Sequence, residues 1–343
     1  MSAMVTTNQA LEMLEHGNIL ELGQAANEVR QAMHPGNVVT FVIDRNINYT
    51  NICTSECRFC AFYRPVGHGE GYTLEKAIIF DKLRETIEAG GTQVMLQGGL
   101  NPTLGLDYYT DLLTCIKKKF DIVIHSFSPA EILHIANKEG LSVKETLTRL
   151  KAAGLDSLPG GGAEILVDAV RQRVSPKKIS ASDWLMVMEM AHQVGLETTA
   201  TMVIGMGESY AERMEHMEKV RNLQEKTGGF RAFIIWSYQP GNTEMGGEKI
   251  SAWDYLKTLS VARLYFNNIK HIQGSWVTQG QNIGQLTLAF GANDLGSIML
   301  EENVVRAAGT SYQMSIDKML ELIRATGKTP AQRDTQYNII KTF

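Results

Sequence analysis

Cys53, Cys57 and Cys60 are the residues of this chain most able to do chemistry. They form a C-x3-C-x2-C loop within Asn51-Ile-Cys-Thr-Ser-Glu-Cys-Arg-Phe-Cys-Ala-Phe-Tyr-Arg64. Soft thiolates at this spacing can ligate three irons of a cubane cluster, while a full cluster normally takes four cysteines. One iron would then stay open, and a substrate's amino and carboxylate groups could bind there and receive an electron directly. A structural zinc site is the bland alternative. Zinc usually wants a fourth Cys or His, and the nearest candidate, His68, sits in a Gly-rich stretch without a partner His. Accidental clustering is the other alternative. The fourth cysteine, Cys115, lies among Leu112, Leu113 and Ile116 and reads as a small buried hydrophobe in a helix.

Such a loop needs a scaffold. From Val38 onward, short β-rich apolar segments alternate with longer amphipathic ones, as in repeated βα units around a parallel sheet. Eight strands are expected, near Val38 to Ile43, Gln93 to Leu96, Ile122 to His125, Gly154 to Leu158, Glu197 to Ile204, Phe230 to Trp236, Ile269 to Ser275 and Gln285 to Phe290. Between them, Ile79, Phe80, Leu83 and Ile87 share one helical face before Gly90. Trp184, Val187, Met188, Ala191 and Val194 do the same before Gly195. These stripes are ordinary core. The pattern predicts an α/β fold, a (β/α)8 TIM-type barrel, although an incomplete barrel of six units leaves nearly the same trace. No repeat or linker divides the chain, so a single domain is expected: an N-terminal helical cap over 1–37, with helices near Thr7 to His16 and Leu20 to Met33, a barrel over 38–312, and a C-terminal helical extension over 313–343. In a barrel, functional groups gather where strands end, and the cysteine loop follows the first strand.

The totals exclude several classes. The chain has 343 residues, 44% of them hydrophobic and 20% charged, ample for a large core. Net charge is -4, and the densest basic run, Lys117 to Lys119, closes a predicted helix, so nucleic acid is not an expected partner. Residues 1–24 hold neither a basic leader nor a continuous apolar stretch, which points away from a membrane and toward the cytoplasm. Four cysteines, three of them inside eight positions, do not resemble a disulfide framework.

The loop has the form C-x3-C-x-aromatic-C, with Phe59 in the aromatic place, and here the sequence resembles the radical S-adenosylmethionine superfamily. The flanks, Asp44-Arg-Asn-Ile-Asn-Tyr-Thr-Asn51 and Cys60-Ala-Phe-Tyr-Arg64, are similar to the branch that makes futalosine intermediates and the deazaflavin chromophore. Gln97-Gly-Gly99, His125-Ser-Phe-Ser-Pro129, Pro159-Gly-Gly-Gly-Ala-Glu164 and Gly291-Ala-Asn-Asp-Leu-Gly296 belong to the same pattern. Within the branch, Trp236-Ser-Tyr-Gln-Pro-Gly-Asn-Thr-Glu244 and Ser275-Trp-Val-Thr-Gln279 most resemble the cyclic dehypoxanthine futalosine synthases. Phe233-Ile-Ile-Trp-Ser-Tyr-Gln-Pro240 departs from that family's usual Phe-Ile-Pro-Trp-Thr-Phe-Gln-Pro.

The resemblance implies a 4Fe-4S cluster on Cys53, Cys57 and Cys60 and S-adenosylmethionine chelating the open iron. An external one-electron donor such as flavodoxin or ferredoxin would reduce the cluster, and dehypoxanthine futalosine would be the small-molecule substrate. Cleavage of the sulfonium gives a 5′-deoxyadenosyl radical, which abstracts a hydrogen from the substrate ribose so that the carbon radical adds to the aryl ring. Gln97, Gly98 and Gly99 would meet the cosubstrate's amino group by backbone approach, and Glu164 its ribose hydroxyls. Tyr49, Phe59, Tyr63, Ser126 and Arg173 complete the implied cofactor set. The Gly-rich stretch before Glu164 is no dinucleotide fingerprint, lacking G-x-G-x-x-G and a following helix. Closing the shell again requires loss of an electron and a proton, and Asp294 and His125 are the candidate bases. Tyr238, Gln239, Asn242, Thr243 and Asn293 would touch substrate, and Arg171 or Arg173 could pair with a carboxylate. The alternatives are aminofutalosine synthase or a deazaflavin synthase component, and, outside enzymes, an electron-transfer or structural metal-binding protein.

Overall fold

The longest strands show why this chain makes a barrel. Glu197–Ile204 and Phe230–Ser237 are rich in Thr, Ile and aromatic residues, which suit extended backbone. Both carry buried positions on successive residues, as strands covered by helices outside and by side chains inside must. The computed structural model describes residues 4–343; residues 1–3 of the expected cap lie outside the described residues.

In chain order the strands are β1 (Val38–Val42), β2 (Asp44–Ile47), β3 (Gln93–Leu96), β4 (Val123–Ile124), β5 (Ser157–Leu158), β6 (Glu197–Ile204), β7 (Phe230–Ser237), β8 (His271–Gln273), β9 (Asp294–Ser297), β10 (Thr329–Arg333) and β11 (Ile339–Thr342). One sheet runs β11-β10-β1-β9-β8-β7-β6-β5 and another β2-β3-β4. Only Ile43 separates β1 from β2, and a parallel bridge from His125 to Ser157 ties β4 to β5. The two sheets are therefore arcs of one ring. With β1 and β2 counted as a single stave, β1 to β9 supply the eight staves of the expected barrel, all paired in parallel.

The helices outside obey local rules that also place site residues. Pro129–Glu139 begins with Pro at its first turn, is capped by Ser128 accepting from the Glu131 N–H, and stops at Gly140 with φ 64°. Ile132, Ile135 and Ala136 go into the core, and Glu131, one turn earlier, turns its carboxylate toward the end of β3. At the N-terminus, Thr7–His16 and Ile19–Met33 form the expected cap over the barrel's flank. Among the described residues no helix is long and apolar enough to cross a membrane.

Two expectations need correction. Gln285–Phe290 is not the eighth strand: Gln281–Leu286 is helical, Thr287–Ala289 is a 3-10 turn, and the strand is Asp294–Ser297. The apolar run is explained by Phe290, whose ring sits where a Cβ on Gly23 would lie at 2.6 Å, so it packs on the N-terminal cap rather than in the sheet. The true strand, Asp-Leu-Gly-Ser, carries no β signal. The C-terminal extension is helical only over Ile316–Arg324. It ends in β10, parallel to β1 from Val38↔Thr329 to Phe41↔Gln332, and β11, antiparallel to β10. Pro330 hid this strand, because proline donates no ladder bond.

Candidate active site

The cysteine loop leaves the C-terminal end of β2 and is clamped at both ends. The Cys53 N–H donates to Arg64 O at 3.0 Å, the Arg64 N–H to Asn51 O at 2.8 Å, and the Arg58 N–H to Val174 O at 3.0 Å. Glu56, at φ 46°, makes the sharp turn between the first two thiols. All three cysteines are free; Cys57 is buried, Cys53 and Cys60 half-buried. Burial pushes the Cys57 thiol up to about 12, against the charge of Lys178. Burial also raises Cys60, against the N–H groups of Tyr63 and Phe62. Among the described residues no three His, Cys, Asp or Glu side chains are drawn together around a single point.

The turn Gln97-Gly98-Gly99 ends β3 against this loop. A Cβ on Gly98 would meet the Tyr49 ring at 2.5 Å, and one on Gly99 would meet Ile52 O at 2.3 Å and Cys53 Cβ at 2.7 Å. The glycines are thus required by packing of protein on protein. The backbone groups here are nearly all used. Gly98 N–H donates to Glu131 Oε1 at 3.0 Å and Gly99 N–H to Thr50 O at 3.0 Å. Gln97 O accepts from Asn48 Nδ2 at 3.1 Å, and Gly99 O from the Asn101 N–H at 2.9 Å. The Gly98 carbonyl accepts from no described residue. Glu131 also accepts from Tyr49 OH at 2.6 Å and Ser128 Oγ at 2.7 Å; burial nevertheless pushes its carboxyl up to about 7. Tyr49 and Ser126, which accepts from the Leu96 N–H at 2.9 Å, therefore brace the turn from behind.

Glu164 sits in the left-handed region at φ 42° and is buried. Its Oε1 accepts from Lys178 Nζ at 2.7 Å and its Oε2 lies 3.5 Å from Arg171 Nη1. The Lys178 ammonium also lies 5.5 Å from the Phe59 ring centroid. Lys178, which sequence reasoning missed, therefore joins the cysteine loop to Glu164; nothing in its local sequence announces that. Arg171 is not free for a substrate carboxylate, since it also donates to the carbonyls of Ala163 and Ile179 at 2.6 Å. Arg173 is exposed and donates to Gly207 O at 3.1 Å, and Tyr63 is half-buried on the same rim.

Below the rim, the barrel encloses a cavity of about 270 Å³. Gln97, His125 and Glu164 line it, as do Asp44, Arg231, Trp236 and Trp276. Several candidates do not. Asp294 is fully buried beneath it, where its carboxylate takes Arg333 Nε at 2.6 Å, Thr40 Oγ1 at 2.6 Å and the Gly296 N–H at 2.8 Å. It is a strut of the barrel floor and cannot reach a ligand. Asn293 is likewise engaged, by Arg263 Nη2 at 2.7 Å and the Ile272 N–H at 3.0 Å. Tyr238 and Thr243 bond each other, Gln239 donates to Thr278 O at 3.2 Å, and Asn242 to Ala307 O at 3.0 Å. These four fasten the loop after β7, and from that motif it is Trp236 that faces the cavity.

Besides Glu164 and Glu302, Asp44 is a carboxyl that lines it. Gln93 Nε2 donates to its Oδ2 at 2.6 Å and Ser297 to its Oδ1, and burial raises its pKa. Its signal was its inward parity with Val42 and Asn46 on the first stave. His125 bonds Ser157 Oγ through Nδ1 at 2.6 Å; burial and the charges of Arg231 and Arg333 hold the ring well below its usual range, hence neutral.

Residues 47–220 match the Radical SAM superfamily and residues 227–342 the CofH/MqnC C-terminal region. A cyclic dehypoxanthine futalosine synthase of Halalkalibacterium halodurans is 50% identical over 99% of this chain and 92% of its own length. One from Streptomyces coelicolor is 45% identical over 97% and 85%. Among solved structures, methylornithine synthase (PylB) superposes with TM-score 0.74 at 20% identity over 96% of this chain and 95% of its own, a likeness of fold. With these matches along nearly its whole length, the chain belongs to the radical S-adenosylmethionine enzymes, in the CofH/MqnC family.

Proposed function

We propose that the enzyme converts dehypoxanthine futalosine to its cyclic product in menaquinone biosynthesis, with Cys53, Cys57 and Cys60 holding a 4Fe-4S cluster beside bound S-adenosylmethionine. The supporting observation is one continuous cavity. Gln97 and Glu164, which reach the cysteine loop through Gly99 and Lys178, are also walls of the space lined by Asp44 and the two tryptophans. The donor set fits the cluster: three free thiols on one clamped loop, with Gly99 packed directly on Cys53. When bound, the cluster and its cosubstrate supply a radical that abstracts hydrogen, and an external one-electron donor such as flavodoxin or ferredoxin provides the electron.

The residues divide the remaining work. The free Gly98 carbonyl is the acceptor for the cosubstrate's ammonium, and Glu164, its charge held by Lys178 and Arg171, accepts from ribose hydroxyls. Trp236, Trp276, Ile234 and Met95 give apolar walls that exclude water from the radical. Asp44 replaces Asp294 as base: desolvation raises its proton affinity, and it would take the proton as the cyclised radical loses one electron, for which the cluster, oxidised in generating the radical, would be the acceptor. His125, held neutral, supplies a hydrogen bond.

The test is anaerobic reconstitution with iron and sulfide, followed by S-adenosylmethionine, dithionite and dehypoxanthine futalosine. Formation of 5′-deoxyadenosine together with a cyclised product of matching mass supports the reading. Deoxyadenosine without that product would keep the superfamily and reject the substrate.

A further inference from the structure

Arg231 is the second residue of β7, whereas the cysteine loop follows the end of β2, so the parallel staves set them at opposite poles of the cavity. Its guanidinium lacks a full set of partners. Nη2 donates to Ser157 Oγ, Nη1 lies 3.4 Å from Glu197 Oε2, and the buried Nε has no acceptor. Glu197 is 55% exposed, so water screens much of its charge. The neighbouring guanidinium, Arg333, is neutralised by Asp294. The cavity floor therefore carries a positive charge offset only by an exposed carboxylate, and a buried donor without an acceptor is costly unless something else satisfies the group. Above it the walls turn apolar and flat at Ile234, Met95 and Trp236.

We infer that Arg231 is the counter-ion for the aryl carboxylate of the proposed substrate, which lies with its anionic end on the floor and its reacting carbon toward Glu164. This rests on the cavity being the substrate site proposed above. Arg231 takes the role that Arg171 and Arg173 cannot, because it lines the cavity and the one carboxylate beside it is exposed. Planar guanidinium suits a planar carboxylate through paired N–H donors. The polar end is fixed by charge and the aryl body by contact with Ile234 and Trp236, which sets the molecule's direction along the barrel axis.

The experiment compares holoenzyme and its Arg231→Gln and Arg231→Lys variants on dehypoxanthine futalosine and on its carboxamide analogue. Cluster content and S-adenosylmethionine affinity, measured first, report whether each variant is folded. Wild type should prefer the carboxylate by at least about 30-fold in kcat/KM, the tenfold steps expected for removing one partner of a buried charged pair. In Arg231→Gln the preference should fall to near unity, mainly through KM, and Arg231→Lys should keep part of it. An unchanged preference in a folded Arg231→Gln enzyme overturns the inference while leaving the proposed reaction intact. If wild type makes no product from either compound, the proposed reaction fails, and calorimetry with benzoate on the holoenzyme decides the subsite alone. Binding to wild type that is lost in Arg231→Gln sustains it; equal binding, or none, sinks it.

Discussion

Replacing Asp294 by Asn should unfold the enzyme far more than it alters its chemistry. The side chain has no exposure, and Arg333, at 6%, has almost none. Two guanidinium nitrogens reach the carboxylate at 2.6 and 3.1 Å, and Thr40 and Gly296 fill its remaining lone pairs at 2.6 and 2.8 Å. All four are donors. An Asn amide removes the charge and turns an N–H2 group toward N–H donors of Arg333 or Gly296 that cannot accept, leaving a buried cation unpaired. Breaking a pair of this kind costs about 3–5 kcal/mol, and for a chain of this size the melting point should fall by roughly 5–15 °C. The assay is thermal and urea unfolding of reduced, cluster-free protein, so that lost cofactor does not contribute. Asp294→Leu combined with Arg333→Met, which removes both charges, should recover more than half of the loss. An Asp294→Asn protein that melts with wild type yet forms no product would refute the reasoning and return Asp294 to the role of base.

Three further outcomes follow from the same geometry. Asp44→Asn should stop product formation while 5′-deoxyadenosine still appears; undiminished product, measured by mass, would remove Asp44 from the mechanism. Gly99→Ala places a methyl 2.3 Å from Ile52 O and 2.7 Å from Cys53 Cβ, so the variant should reconstitute less than about a tenth of the wild-type cluster by iron and sulfide assay. Glu131, at about 7 when folded against an ordinary 4.5, keeps a proton that the unfolded chain releases, so its contribution to stability is fully present below about pH 4.5 and is lost as pH rises through 7. The loss is on the order of 3 kcal/mol. Urea midpoints of Glu131→Gln should accordingly be flatter with pH than those of wild type between pH 5 and 8, and parallel curves would count against it.

The sequence carried the barrel wherever pattern and packing agreed. Gln93–Leu96 and Glu197–Ile204 are strands to the residue, because both are β-rich runs ended by polar or Gly signals. It failed where packing partners lie far along the chain. Phe290 looked like strand and is the plug against Gly23, while Asp294–Ser297 is strand because Gln273 and Thr40 pair with Asp294 on either side. The rim was legible for the same reason the barrel was: Cys53, Gly98 and Glu164 sit in short local motifs. The proposed base was not, because Asp44 and Asp294 are both acids at the first and last staves, and only the three-dimensional ring decides which one Arg333 captures.

That capture explains how the floor and the rim can be built separately. Cys53, Gly98, Glu164 and Lys178 all fall within residues 47–220, the part shared with the superfamily. Arg231, Trp236, Trp276, Arg333 and Tyr337 all fall within 227–342. The C-terminal strand β10 is therefore no appendage: by pairing with β1 it carries Arg333 and Tyr337 up into the barrel from below and closes the end opposite the cysteines. Asp294 neutralises the guanidinium this brings in, which leaves Arg231 as the floor charge offset only by the exposed Glu197, the feature on which the inferred carboxylate site rests. On the proposed division of roles, a change of substrate within the fold would need new side chains lining the cavity, on β7 to β10 and around Asp44, and none at the rim.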